Sequence, residues 1–285
     1  MKKTCIILLV IICQQGIYSQ VRYSSSWFGP NANPVPEFTD ATIPSKTTIS
    51  LMGDYYFGYG DRTQNGYIKV DIPLLSERVS LKIWSAVMEH YQTTEEIKQN
   101  RGASTTSGSE VGDIYVQTRI RLWKEQKNRP EVILNSTLKT ASAKTFATRR
   151  YFDTPGYYFD VEMGKSFFTK SSFISEIRLV ADAGFLCWET TNSAQDDAPM
   201  YGGKIILGNQ DWKIENTLSG YWGWKNLKDK TYGDVPLVYS LKLIKQTKNL
   251  NYFAQYQYGI HDFPYDQIRI GVSFTMSKLT PKFNP

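Results

Sequence analysis

The stretch that decides the fold is QIRIGVSFTM, residues 267–276. Apolar side chains occupy every second position, namely Ile268, Ile270, Val272, Phe274 and Met276. The intervening positions carry small or polar side chains, including Arg269 and Gly271. Because successive side chains of a β-strand point to opposite faces, this pattern predicts a strand with one apolar face and one polar face.

The same period of two recurs along the chain. It predicts strands at residues 48–59, 67–75, 79–91, 113–123, 131–142, 157–167, 173–188, 201–208, 212–224, 235–246, 250–259 and 267–276. The segments between these strands alternate between short and long. A sheet can cross a bilayer only if it closes on itself, and such barrels have short turns at one end and long loops at the other. We therefore predict an all-β fold: a closed antiparallel transmembrane β-barrel of about 12 strands.

The remaining segments flank the predicted barrel, which spans residues 47–276. Residues 1–19 are predicted to form a cleaved signal peptide, because Lys2 and Lys3 precede a short apolar run that is followed by Ser19. Residues 20–46 contain four prolines, so we expect an irregular periplasmic lead-in or a segment tucked into the lumen. Residues 277–285 form a C-terminal tail. After cleavage Cys187 is the only cysteine, which excludes an intramolecular disulfide.

Charge and composition narrow the class further. Without Lys2 and Lys3 the chain has 31 basic and 27 acidic residues, a net charge of +4 that is spread over every segment. A nucleic-acid-binding protein would concentrate basic charge on one surface, so we exclude that class. Aromatic residues make up 14% of the chain and cluster near strand ends, as in the two interfacial girdles of a spanning barrel. A soluble β-sandwich would place its large rings between two sheets, and it remains the less favoured alternative.

The chain resembles bacterial outer-membrane β-barrel proteins over essentially all of its mature length. The resemblance rests on the signal sequence, the twelve amphipathic strands, the alternating loops and the strongly amphipathic last strand. It implies location in the outer membrane, contact with outer-membrane lipid, and recognition of the closing strand by the barrel-assembly machinery. In that family the closing strand usually ends on an aromatic residue at the chain terminus. Here Phe274 lies near the end of the strand, and the tail continues past it.

Charged residues occupy the predicted inward face of neighbouring strands. We expect the lumen-lining set to be Lys69, Lys82, Arg119, Arg121, Lys139, Asp160, Glu162, Arg178, Asp182 and Arg269. The cations of the second to fifth strands would face the acids of the sixth and seventh, and this field would select solutes by sign and size. The sequence therefore favours a porin-like channel for small polar or anionic solutes, with Arg119, Arg121 and Lys139 as the selecting cations. In the alternative, these charges pair and fill a closed barrel that serves a structural or surface-interaction role.

Two further function classes have weaker support. Only His90, predicted to face inward, and His261, in the last outer loop, could act as a catalytic base. Neither lies in a recognisable serine motif, so an outer-membrane lipid hydrolase is a minor alternative and we expect no enzyme. Two histidines without a third ligand also predict no metal site, and we expect no cofactor. The long outer loops at residues 92–112 and 189–200 are candidates for binding a surface partner.

Overall fold

The computed structural model describes residues 27–74, 77–143, 146–188, 198–223 and 235–281. Its strands are β1 (Thr47–Gly58), β2 (Asp61–Pro73), β3 (Val79–Thr93), β4 (Ser107–Glu110), β5 (Tyr115–Trp123), β6 (Glu131–Lys139), β7 (Gly156–Phe168), β8 (Glu176–Trp188), β9 (Ala198–Gly208), β10 (Trp212–Tyr221), β11 (Leu237–Gln246), β12 (Leu250–His261) and β13 (Asp266–Met276). One α-helix, α1 (Glu95–Arg101), lies between β3 and β4. The predicted signal peptide, residues 20–26 of the predicted lead-in, residues 189–197 of the predicted outer loop and the last four residues of the tail lie outside the described residues.

The strands close into a barrel. Apart from β4, each strand pairs antiparallel with the strands before and after it, β3 pairing with β5, and β1 also pairs with β13 from Thr47 opposite Met276 to Phe57 opposite Asp266. β4 pairs only with β3, so 12 strands form the closed wall and β4 is an addition at one end. This arrangement confirms the predicted fold class. In the part of the chain that the structure describes, no helix has both the length and the apolar character needed to cross a membrane.

The period of two sorts side chains between the outside and the lumen. Along β7, Phe159 and Met163 are exposed on the outside, whereas Tyr158, Asp160 and Glu162 are buried. β8 and β13 alternate in the same way, with Leu179, Ile268 and Ile270 exposed and Arg178, Asp182 and Arg269 buried. The apolar outer face is what a lipid-facing surface requires, and the polar side chains are turned inward.

A β-bulge in β3 reverses this alternation for one stretch. Tyr67 pairs with Ala86 while Gly66 pairs with Met88, so Val87 is an extra residue without a partner in β2. An insertion of one residue moves every later side chain to the opposite face. His90, which we expected to face inward, is therefore exposed on the outside, and Glu89 and Tyr91 are buried inside. The inward position predicted for His90 is wrong for this reason.

The outer connections also differ from the sequence prediction. We call the end of the barrel that carries the long connections the outer end, and the end at Thr47 and Met276 the inner end. The first outer turn consists of Tyr59 and Gly60, both with positive φ (48° and 65°), rather than residues 61–66. Two consecutive positive φ values are typical of a tight hairpin turn, so β2 begins earlier than its apolar pattern indicates.

The loop predicted at residues 92–112 has regular structure. Thr94 caps α1 by accepting a hydrogen bond from the Ile97 backbone nitrogen (3.3 Å), and Gly102 ends the helix in the left-handed conformation. β4 then returns along β3. The glycine, serine and threonine content of this loop predicts an irregular loop, whereas the structure gives it a short helix and a short strand.

Residues 27–46, which we call the lumen segment, lie inside the barrel. The Phe28 carbonyl accepts a hydrogen bond from the Tyr265 hydroxyl at the outer end (2.8 Å), and the segment joins β1 at the inner end. Phe38, Ala41 and Ile43 pack in the lumen against Ile133, Val180 and Ile206. This position differs from the periplasmic lead-in and matches the alternative, a segment tucked into the lumen.

Candidate functional site

The lumen is the candidate site, and the lumen segment occupies much of it. Four prolines prevent this segment from joining the sheet, so its backbone groups need other partners inside the barrel. Charged side chains of the wall provide them. The Glu162 carboxylate accepts hydrogen bonds from the backbone nitrogens of Thr39 (2.8 Å) and Ala41 (3.1 Å) and from the Thr39 hydroxyl (2.7 Å).

Three wall cations bind carbonyl oxygens of the same segment. Arg119 donates to the Thr42 carbonyl (2.8 Å) and also pairs with Glu162 (3.1 Å). Arg178 donates to the Asp40 carbonyl (2.7 Å), and Lys204 donates to the Phe38 carbonyl (2.8 Å). The sequence predicted Arg119 and Arg178 as lumen residues but not Lys204. A buried backbone group without a partner is costly, so these hydrogen bonds stabilise the segment in the lumen.

A glycine makes room for the ring of Phe38 in the lumen segment. A Cβ atom on Gly202 of β9 would lie 2.3 Å from Cε1 of Phe38. Any larger residue at position 202 would displace the ring. The glycine therefore provides the space in the barrel wall that Phe38 occupies.

Arg269 links the segment to the seam of the barrel. Its guanidinium binds Asp54 on β1 through Nε–Oδ1 (2.6 Å) and Nη2–Oδ2 (2.7 Å), and its Nη1 binds Glu37 (2.5 Å). Lys69 lies 3.8 Å from the other oxygen of Glu37. The sequence placed Arg269 and Lys69 on the inward face correctly, but the strand pattern could not identify Glu37 as their shared partner.

The cations expected to select solutes form ion pairs with acidic side chains. Arg121 pairs with Glu131 (2.5 Å), and Lys139 pairs with Asp113 (2.7 Å). Arg119 pairs with Glu162, so each of the three predicted selecting cations has an acidic partner. None of the three lines either of the cavities described below.

Two acids of the predicted set lie side by side on β7 and β8. Asp160 accepts a hydrogen bond from the Asn135 amide (2.5 Å). Asp182 is buried, and it interacts electrostatically with Asp160. Asp182 lies directly opposite Glu162 in the register of β7 and β8.

A buried ion cluster fastens the outer loops across the barrel mouth. Arg150, in the connection between β6 and β7, binds Asp61 (2.6 Å) and Glu89 (2.6 Å), and Arg101 of α1 binds the same oxygen of Asp61 (2.7 Å). Burial alone would lower the pKa of Arg150, but Glu89 and Asp61 raise it well above its usual range. Burial and the hydrogen bond to Glu89 raise the pKa of Tyr151 in the same connection.

Sequence reasoning missed this cluster. The bulge at Val87 hides the inward position of Glu89 from a period-two count. Arg150 lies in a loop, where no periodicity indicates a direction. Only the three-dimensional fold brings these residues together.

Two cavities remain beside the lumen segment, and they meet at Glu37. The outer cavity is lined by aromatic rings and by Lys69, Lys82 and Arg269. The inner cavity is polar, and its lining includes Lys69, Lys82, Lys204, Lys242 and Glu215. The cavities also share Val35 and Gln257, so together they form an incompletely filled side of the lumen.

The lysines of this side differ in how they are neutralised. Lys69 and Lys204 each have an acidic oxygen at 3.8 Å, from Glu37 and Glu215. Lys82 and Lys242 form no ion pair within 4.0 Å in the described part of the chain, and each ammonium lies near an aromatic ring instead. Lys82 and Lys69 belong to the predicted set; Lys204 and Lys242 were missed, because only the position of the lumen segment reveals which wall stays open.

The strand-end pattern predicts an outer girdle from the aromatic residues at positions 55–59, 91, 157–159, 221–224 and 256–258, and some of these point into the lumen instead. Tyr56, Tyr158 and Tyr221 are buried in one cluster at the outer end, with Tyr115 and Trp188. The expectation of an outer girdle built from these side chains is wrong for those three positions. The exposed rings of Tyr252, Tyr256 and Tyr258 do lie on the outside of β12.

In the described part of the chain, neither histidine belongs to a complete triad of serine, histidine and an acidic or amide group. His90 Nδ1 lies 3.1 Å from the Ser109 hydroxyl on the neighbouring strand β4, but within the described ranges no acidic or amide group binds its other ring nitrogen. His261 is exposed beside Asp262. No group of three or more potential metal ligands occurs among the residues that the structure describes.

The fold is similar to two solved outer-membrane channels. The NanC porin matches with a TM-score of 0.55 and 11% identity, over 80% of this chain and 100% of that one. The COG4313 outer-membrane channel from Pseudomonas putida F1 matches with a TM-score of 0.56 and 12% identity, over 85% and 100%. No family model matches the sequence, and no curated protein is similar to it.

The closed 12-strand wall, its apolar outer face and these similarities define the class. The chain has the fold of outer-membrane β-barrel porins and channels.

Proposed function

We propose that this protein is an outer-membrane channel for small polar or anionic solutes, and that the lumen segment narrows its pore. The observation that carries the proposal is the pair of adjoining cavities beside that segment, lined by Lys69, Lys82, Lys204 and Lys242. In this proposal the signal peptide directs export, the barrel-assembly machinery inserts the barrel, and its apolar face contacts lipid.

Charge supports a preference for anions. Lys82 and Lys242 are not neutralised by an acid within 4.0 Å among the described residues. In a narrow lumen of low dielectric, uncompensated cations attract anions and repel cations. Arg119, Arg121 and Lys139 contribute less to selectivity in this proposal, because each is matched by an acid.

A closed barrel is the second candidate, and one observation favours it. The lumen segment forms hydrogen bonds to several wall charges and packs a hydrophobic cluster in the barrel centre, which is typical of a filled interior. Its role would then be structural, or would depend on outer loops that bind a surface partner.

Planar-bilayer conductance of the refolded protein separates the two candidates. A channel is expected to carry current and to show an anion-selective reversal potential across a salt gradient. The double variant Lys69→Gln/Lys242→Gln should shift that potential toward cations, and Glu37→Gln should shift it toward anions. Arg121→Gln is the control and should leave it unchanged. Absence of current from correctly folded protein would favour the closed barrel.

A further inference from the structure

We infer that the outer cavity is a binding site for small carboxylates that carry an aromatic ring. This deepens the proposed function, since it names the solutes that the lumen would recognise, and it rests on that function for the route of entry. Binding itself does not require passage through the barrel.

Unused hydrogen-bond donors indicate the charge of the ligand. Tyr115 Oη and Trp188 Nε1 line the outer cavity, both side chains are at least nine-tenths buried, and neither atom has a hydrogen-bond partner among the described residues. An indole N–H can only donate, and so can an ammonium. Lys82, also buried, completes the set at the same cavity. What the site lacks is therefore an acceptor, and a carboxylate has two acceptor oxygens.

The neighbouring charges leave Lys82 available. Glu37 and Asp54 are held by Arg269, and Asp113 is held by Lys139. Asp71 lies opposite Lys82 in the sheet, but its ion pair, at 3.8 Å, is with Arg119. A buried charge without a close partner is costly, so an anionic ligand would remove that cost on binding.

Aromatic rings beside these donors favour a flat ligand. Trp84 pairs with Tyr115 across β3 and β5, and their rings are stacked with centroids 5.1 Å apart and an angle of 10°. Trp188 meets Tyr158 edge to face, with centroids 6.0 Å apart. Ring faces and edges of this kind pack well against another flat ring. The Lys82 ammonium lies 5.0 Å from the centre of the Trp84 ring, so charge and ring surface adjoin.

Free space adjoins the site inside the lumen. The Glu37 side chain, at the junction of the two cavities, is 45% exposed, and Lys69 is 25% exposed. A ligand thus has room beside these charged groups, while the aromatic side of the cavity is apolar and strengthens the hydrogen bonds formed there.

Calorimetric titration of detergent-refolded protein tests the inference. The probe is 4-hydroxybenzoate, compared with its uncharged counterpart 4-hydroxybenzamide and with acetate, which has no ring. We expect 4-hydroxybenzoate to bind about tenfold or more tightly than either comparison compound, as for a charge-assisted hydrogen bond.

Variants locate the site. Lys82→Gln should weaken binding of the acid about tenfold or more. Tyr115→Phe and Trp188→Phe keep a ring and remove only the donor, so each should weaken binding severalfold. Lys242→Gln removes a lumen cation that lines only the inner cavity and should leave affinity unchanged. Heat-modifiable migration on gels verifies that each variant is folded.

The outcomes separate this inference from the channel proposal. Equal binding of acid and uncharged counterpart, equal binding of acetate, or unchanged affinity in Lys82→Gln would overturn it. Ring-acid binding without conductance would overturn the channel and support the site. Conductance without ring-acid binding would do the reverse.

Discussion

Arg269 donates two hydrogen bonds to Asp54 across the seam where the last strand of the barrel meets the first. The two residues are directly opposite in the register of β1 and β13. The third guanidinium nitrogen binds Glu37 of the lumen segment. One side chain therefore contributes both to the seam of the barrel and to the position of that segment.

Arg269→Gln should lower the free energy of unfolding by about 3–5 kcal/mol, because it leaves the buried Asp54 carboxylate without its partner. Urea titration of the folded barrel in detergent or lipid measures this. The double variant Asp54→Asn/Arg269→Gln removes the stranded charge and should recover part of the loss. A double variant as unstable as the sum of both single variants would contradict the pairing.

Ile270 tests the lipid-facing side of β13. It is 63% exposed on the outside of the barrel. Ile270→Arg should lower stability by about 2–4 kcal/mol if the residue lies near the bilayer midplane. Ile270→Leu conserves the apolar volume and serves as the control. Equal stability of the two variants in lipid would show that this face does not contact the hydrocarbon.

Arg150→Gln should release the connection between β6 and β7 from the barrel mouth. The change removes the ion pairs to Asp61 and Glu89 and leaves two buried acids with fewer partners. Limited proteolysis should therefore cleave residues 140–155 faster than in the parent protein. Arg149→Gln, at the neighbouring position, is the control, since Arg149 packs on the Phe146 ring and forms no part of the cluster. Equal cleavage of both variants would contradict the role of the Arg150 ion pairs in holding this connection.

The hydrogen bonds of Glu125, in the turn between β5 and β6, predict that the folded protein loses stability in acid. Burial alone would raise its pKa, but hydrogen bonds from the Ser166 backbone nitrogen and from Arg178 lower the pKa below its ordinary value of 4.5. A lowered pKa in the folded state stabilises the fold above that ordinary value, and the stabilisation is lost as the pH falls through the lowered pKa.

Glu125→Gln should thus be less stable than the parent protein at neutral pH, and this difference should shrink on acidification below about pH 4.5, the ordinary pKa of the group. Urea unfolding at a series of pH values measures it. A difference that stays constant down to strongly acidic pH would contradict the role assigned to the ionised carboxylate.

The strand pattern alone predicted most of the barrel. The facing of Ile270 and Arg269, and of Met163 and Glu162, follows from local geometry, because neighbouring side chains of any strand point to opposite faces. The requirement that a spanning sheet close on itself then supplied the class without any knowledge of pairing. The prediction failed at His90, because one bulged residue reverses the alternation and leaves no mark in the hydrophobic pattern.

What the inward charges do was decided only by the tertiary structure. Period two shows that Arg119, Arg178 and Glu162 point into the lumen, and it is equally compatible with an open pore and a filled one. Their partners are backbone groups of a proline-rich segment that has no periodicity and that reaches them from distant positions in the chain. The open side, with Lys82 and Lys242, is simply the part of the wall that this segment does not cover. Facing is a local property of each strand, whereas pairing and free volume depend on the whole closed barrel and on what occupies it.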